Sequence, residues 1–287
     1  MKDHLLVMSA AVAIAAGAMV ALPPVSLAQA PATSPGIIIS VSGSATISTK
    51  DMPPGGEIWA TWYSLPPGQA VVESATAAKW VYAEMALDGS ALVTGGLTPM
   101  CDSLNAGGHE AAGSAGTTDP GDLEVCNYAA LPGARTENKG AKPYVFASLA
   151  VGGPWKEGME DATDLYLKVN GLAKATKVAS AQFGPVENEI LKAGAMRVVI
   201  RNVTLPPGAR IVTTDHDPTL RMVENGQLVL SFAPEGSNAA APKVLAAFDT
   251  MEWVPANAEK QIVLSNRGDQ PVQFVEWTVA PLQGAKP

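Results

Sequence analysis

The sequence predicts an all-β chain made of two jelly-roll barrels, the first enlarged by an inserted loop. Three observations predict it. Short β-branched and aromatic runs alternate with Pro/Gly punctuation, and helical periodicity is nearly absent. The tetrapeptide Leu-Pro-Pro-Gly occurs twice, at residues 65–68 and 205–208, 140 residues apart. Around both copies the order of strand, turn, strand, polar break, strand, tight turn and strand repeats.

The N-terminus reads as a secretory signal over residues 1–28. Lys2 supplies a small positive region, Leu5 to Leu22 carries no charge, and Ser26-Leu27-Ala28 fits cleavage before Gln29. A retained membrane anchor is the alternative, because the stretch reaches the ~18-residue spanning threshold. Its Ala-rich composition and the lack of a following positive cluster favour cleavage. The expected location is the periplasm or the exterior, with no stable membrane insertion after cleavage.

Residues 29–36 (Pro, Ala, Ser, Thr and Gly with one Gln) form a flexible lead-in. The remainder divides into a domain over 37–185, with 95–143 as the insertion, and a second over 186–287. The whole sequence is 47% apolar, enough for a sizeable core. A net charge of −8 with 16% charged residues disfavours nucleic acid and anionic lipid as partners.

In the first copy the expected strands are Ile37–Val41, Ile58–Leu65, Lys79–Leu87 and Ala91–Thr94. Asp88-Gly89 between the last two reads as a hairpin turn. Residues 144–151 read as a buried strand. Residues 162–178 fit either a helix face or a hairpin arm. The second copy offers Met196–Leu205, then Leu220–Glu224 and Gln227–Phe232 around Asn225-Gly226. Leu245–Phe248, Gln261–Ser265 and Val272–Ala280 follow. Cys101 and Cys126 lie in the insertion. In an oxidising compartment one disulfide is the simplest reading, closing a loop of about 25 residues worth roughly 3–4 kcal/mol. A redox or metal pair is the alternative.

The second copy resembles the cupin superfamily. The carrying residues are Leu205-Pro206-Pro207-Gly208, His216, Pro218, Leu220 and Val223-Glu224-Asn225-Gly226-Gln227-Leu228-Val229-Leu230. A second motif runs from Trp253-Val254-Pro255-Ala256-Asn257 to Asn266-Arg267-Gly268-Asp269-Gln270-Pro271-Val272. The match covers roughly 196–280, and the first copy resembles it more faintly over 37–94 and 144–180. The resemblance implies a double cupin, or bicupin. It also implies a divalent metal held by two His and a Glu of the first motif and one His of the second. Here Thr214-Asp215-His216 lacks the paired histidine. The metal Glu position falls near Thr219 to Arg221, and Glu259, Lys260 or Gln261 stands at the second-motif His position. His109 and His216 are the only histidines beyond residue 28.

The expectation is therefore a bicupin without an intact metal site and with no cofactor, more a small-ligand-binding or structural module than an enzyme. Candidate ligand contacts are His216, Asp215, Arg197, Arg201 and Trp253. Arg197 and Arg201 share one strand face and either clamp an anion inside a barrel or form a solvated face. His216, flanked by Asp215 and Asp217, is a metal ligand, a pocket hydrogen-bonding group or a surface turn residue. The rival function is a metal-dependent dioxygenase or isomerase holding Fe, Mn or Zn on Asp215, His216 and Glu224. A third is an envelope β-sandwich interaction protein. The acidic run Glu157, Glu160, Asp161 and Asp164 lacks calcium-loop spacing. Trp59, Trp62, Tyr63, Trp80 and Tyr82 read as core filling or a stacking surface. Asn202-Val203-Thr204 matches a glycosylation tripeptide inside a strand. The partner is a small molecule or a protein, and a homodimer follows by analogy.

Overall fold

The computed structural model describes residues 36–50, 57–72, 80–94, 101–103, 116–127, 135–152, 177–183, 190, 192–213, 217–233, 241–253 and 261–282. Among them lie nineteen strands. The first ones are β1 (Ile38–Ser48), β2 (Glu57–Leu65), β3 (Ala70–Val72), β4 (Trp80–Asp88) and β5 (Ala91–Thr94). Then come β6 (Cys101–Ser103), β7 (Gly116–Thr118), β8 (Leu123–Asn127), β9 (Arg135–Glu137), β10 (Tyr144–Gly152) and β11 (Lys177–Gln182). The second copy holds β12 (Ala195–Leu205), β13 (Arg210–Thr213), β14 (Thr219–Asn225), β15 (Leu228–Ala233) and β16 (Lys243–Leu245). It ends with β17 (Thr250–Trp253), β18 (Gln261–Ser265) and β19 (Val272–Pro281).

Each copy pairs one large sheet with one small sheet. The large sheets run β11-β2-β10-β4-β8-β6 and β1-β12-β19-β14-β17; the small ones run β3-β9-β5-β7 and β13-β18-β15-β16. The duplication is thus exact in strand order apart from β6, an added edge strand. It extends to irregularities: the ladder shifts between Val145 and Phe146 against β4, and at the matching place between Val223 and Asn225 against β19.

The leading strands are exchanged. β1 precedes the first copy in sequence but pairs with β12 of the second, from Ile38↔Thr204 to Ser48↔Ala195. β11 precedes the second copy but pairs with β2 of the first.

The repeated Leu-Pro-Pro-Gly turn is held by a buried asparagine in each copy. Pro at the first central position and Gly at the second, with φ of 75° at Gly68 and 73° at Gly208, make it a type II turn. Asn266 Nδ2 donates to the carbonyls of Leu205 (2.8 Å) and Gln270 (2.7 Å), and its Oδ1 accepts from Gly268 N–H (2.9 Å). Asn138 does the same with Leu65 (2.7 Å), Lys142 (2.9 Å) and Gly140 (2.9 Å). The first-copy turn Asn138 to Pro143 therefore matches Asn266 to Pro271.

Three sequence expectations change. Within the stretch expected to be inserted, 95–143, β7, β8 and β9 are sheet members with counterparts β16, β17 and β18. The low-complexity composition masked strands only three to five residues long. Asp88-Gly89 and Asn225-Gly226 do not close hairpins, because the strands on either side belong to different sheets. Glycine is needed there for close approach: a Cβ at Gly89 would sit 2.5 Å from the Pro143 carbonyl oxygen, and one at Gly226 3.0 Å from that of Pro271. Leu245–Phe248, expected as a strand, is the end of β16 followed by a tight turn. Residues 157–164 and most of 162–178 lie outside the described residues.

Strand alternation sorts the core into three clusters. Ile58, Ala60, Met85 and Leu149 from one large sheet meet Met196, Ile200, Leu220 and Trp277 from the other, forming a seam between the copies. Val203, Leu205, Val223, Leu264 and Phe274 fill the second barrel. Tyr63, Leu65, Tyr144 and Phe146 fill the first, with the Tyr63 and Phe146 rings stacked at 4.4 Å. Each fully buried aliphatic or aromatic side chain contributes about 1.5–3 kcal/mol.

Candidate functional site

The side-chain period of two fixes what enters the second barrel. On β12, Met196, Val198 and Ile200 belong to the seam while Val203 and Leu205 belong to the barrel. Arg197 and Arg201 share the barrel face. On β14, Leu220 and Met222 take the seam and Val223 the barrel, so Arg221 turns inward. On β19, Val275 and Trp277 take the seam and Phe274 the barrel, so Glu276 turns inward too.

Register then places these groups in one row. Arg201 is opposite Glu276, and Glu276 is opposite Arg221. Arg221 Nε and Nη2 both approach Glu276 Oε2, at 2.8 and 2.7 Å. Arg201 Nη1 donates to Glu276 Oε1 at 3.1 Å. The Arg221 side chain is 1% exposed and that of Arg201 40%. Burial works to raise the Glu276 carboxyl, but the two guanidiniums outweigh it and hold the group below its ordinary range. One row further along, Thr219 and Thr278 hydroxyls lie 3.2 Å apart, and Arg197 Nη2 reaches Asp217 Oδ2 at 3.4 Å. The interior is thus apolar toward Leu205 and Phe274 and polar toward Thr219 and Arg197. Among the described residues its central row holds two cations and one anion.

The candidate residues from sequence separate accordingly. Arg197 and Arg201 come together with Arg221 and Glu276. Asp215 and His216 lie outside the described residues, as do His109, Glu259 and Lys260. Trp253 ends β17, opposite Thr219 in register. Glu224 leaves the opposite face of β14 from Arg221 and enters the seam, where Trp62 Nε1 donates to its Oε1 at 2.6 Å. That placement removes it from any ligand set inside the barrel. Cys101 and Cys126 stand directly opposite in the β6–β8 ladder.

Sequence reasoning missed Glu276 and the role of Arg221. The signal was present: Leu-Arg-Met and Val-Glu-Trp each put a lone charge on the inner face of an otherwise apolar strand. Only the pairing register shows that the two charges meet.

Among the described residues, no group of three or more His, Cys, Asp or Glu is placed to hold a metal ion. No protein-family model matches the chain, and no curated protein does. The solved structures to which it is similar include members of the cupin superfamily. One is a sugar phosphate isomerase from a cupin superfamily of Silicibacter pomeroyi, at 22% identity over 29% of this chain and 50% of that one, with a TM-score of 0.24. The chain therefore spans half the length of that isomerase. Another is a cupin 2 conserved barrel domain protein of Salinispora arenicola, at 15% identity over 28% of this chain and 61% of that one, with a TM-score of 0.24. An oxalate decarboxylase of Bacillus subtilis is 13% identical over 88% of this chain and 78% of that one, with a TM-score of 0.44. The architecture itself rests on the duplicated strand order described above.

Proposed function

We propose that this chain is an exported protein of two cupin-like barrels, and that the second barrel binds a small organic anion without a transition-metal ion. The observation that carries the reading is Arg221. It is 1% exposed and lies on the inner face of β14, within the stretch where the cupin resemblance expects the metal Glu. A divalent ion about 5 Å from a guanidinium would meet roughly 7 kcal/mol of repulsion at an effective dielectric of about 20. The nearest carboxylate among the described residues, Glu276, already accepts from two guanidiniums. This donor set does not fit a divalent metal. It fits an anion, because among the described residues the row carries one more cation than anion and Arg201 is exposed enough to be reached. Arg201 spends Nη1 on Glu276 and would offer its remaining N–H groups to a carboxylate in a bidentate bond.

Export and a Cys101–Cys126 disulfide belong to the same reading. The signal-like N-terminus supports the first. The direct opposition of the two cysteines in an antiparallel ladder supports the second. The test uses the mature chain from Gln29. Elemental analysis is expected to find no stoichiometric metal, and small carboxylates such as acetate, succinate and benzoate to raise the melting temperature of the wild type but not of Arg201→Gln. One tightly held iron, manganese or zinc per chain would overturn the proposal.

A further inference from the structure

The seam between the copies holds one polar assembly that the ligand reading does not use. Trp62 on β2, Asn202 on β12 and Glu224 on β14 meet there, across the boundary between the two halves. We propose that Glu224 carries a proton in the folded protein and donates it to Asn202, so that the seam is a pH-responsive junction between the barrels.

The geometry supplies both hydrogen-bond partners. Trp62 is 6% exposed, and its indole N–H, which can only donate, occupies Glu224 Oε1 at 2.6 Å. Asn202 is 8% exposed and within hydrogen-bonding reach of Glu224, yet its Oδ1 has no hydrogen-bond partner. A buried acceptor left so costs about 1–3 kcal/mol. A carboxylate takes Asn202 Nδ2 as its donor and orphans Oδ1. A carboxylic acid donates to Oδ1 once the amide turns over, and the acceptor left without a partner by the charged form then has one. Burial pushes the Glu224 carboxyl up to about 7, against the opposing bonds from Trp62 and Asn202.

The surroundings reinforce the proton. From the end of β4 the Asp88 carboxylate raises Glu224 further, while Asp88 itself is held low by Lys142 at 2.5 Å. The 246–249 turn carries Asp249, whose carboxylate is engaged by Ala246 N–H at 2.8 Å. β1 brings no ionisable residue to the seam.

The assembly also has a mechanical link. Phe248 adopts a left-handed φ of 69°, rare for a non-glycine residue. Its N–H donates to Val223, the neighbour of Glu224, at 2.7 Å, and its ring packs on Trp62 at 5.4 Å. Trp62, Phe248, Val223 and Glu224 thus form a closed circuit of contacts. The first copy shows what the position holds without this device. Leu87 precedes Asp88-Gly89 as Glu224 precedes Asn225-Gly226, and Leu87 is simply buried in the seam core.

Because the folded chain binds this proton more tightly than the unfolded one, stability falls as pH rises from about 4.5 to about 7. The folding constant is expected to drop by up to roughly 300-fold across that window. Calorimetry of the mature chain between pH 4.5 and 8.5 would compare wild type with Glu224→Gln and Glu224→Leu, both expected to lose this component. Infrared titration of the wild type should show a protonated-carboxyl band that disappears near pH 7 and is absent from both variants. An equal pH slope in wild type and variants would overturn the proposal. Should neither variant fold, the wild-type band alone decides: no protonated carboxyl at pH 6 sinks it.

Discussion

Replacing Glu276 by Gln tests how the second barrel tolerates its buried cation. Gln keeps the size of the side chain and removes the charge. Arg221 would then remain 1% exposed with its nearest counter-charge gone. Breaking a buried pair by removing one partner costs about 3–5 kcal/mol, because the surviving charge loses the anion that offset its desolvation. The Arg201 arm of the same carboxylate is 40% exposed, so its loss adds only about 0–1 kcal/mol. At about 2–4 °C per kcal/mol for a chain of this size, Glu276→Gln should lower the melting temperature by about 6–24 °C. Arg201→Gln should shift it by no more than a few degrees.

The pH profile gives a second readout on the same variant. The Glu276 carboxyl is held below its ordinary value of 4.5 in the folded chain. Its contribution is therefore complete above about 4.5 and is lost as pH falls through the lowered folded value. Calorimetry from pH 3 to 7 should show this acid-side loss in wild type and not in Glu276→Gln. A variant melting within 2 °C of wild type at pH 7 would refute the reasoning, since Arg221 would then be stabilised by something other than Glu276.

Three further outcomes follow from the duplicated frame. Asn266→Ala and Asn138→Ala should each cost about 2–4 kcal/mol in denaturant titration, because each leaves buried carbonyls and an N–H without partners around a Leu-Pro-Pro-Gly turn. Deleting residues 37–48 should destabilise the second barrel more than the first, as hydrogen exchange at β12 amides would report, because β1 completes the β12 ladder. Thiol titration of the denatured, unreduced chain should find no free thiol, and reduction should lower the melting temperature, if Cys101 and Cys126 are bridged as their register allows.

Much of the fold was legible because it is local. β-branched and aromatic runs marked β2, β4, β10, β12, β14, β18 and β19 to within one or two residues. Leu-Pro-Pro-Gly announced the repeat. What failed was of two kinds. β7 and β9 are three residues long, and no periodicity can be read from three residues. The sheet-to-sheet corners at Gly89 and Gly226 look in sequence like hairpin turns, since what distinguishes them is the Pro143 and Pro271 backbone packed against them. The site failed for a related reason. Arg201 was visible as a charge on a strand face, but its partner Glu276 is 75 residues away and only register joins them. Glu224 was visible as part of a motif, but its face of β14 was not.

The same row in the first barrel argues for where an anion would go. Thr61, Ser148 and Glu84 occupy the positions of Arg201, Glu276 and Arg221, with Ser148 opposite both Thr61 and Glu84 in register. Two hydroxyls and a carboxylate replace two guanidiniums and a carboxylate, so among the described residues the row changes from a net +1 to a net −1 while the backbone around it stays duplicated, bulge included. A fold that keeps its frame and inverts the charge of one interior row has separated stability from selectivity. The frame is set by the Asn138 and Asn266 turns and by the seam, which takes the opposite face of the strands from the row. An anion entering both barrels would be favoured in the second by the same Coulomb term that disfavours it in the first, so the proposal predicts a single bound equivalent per chain, lost with Arg201.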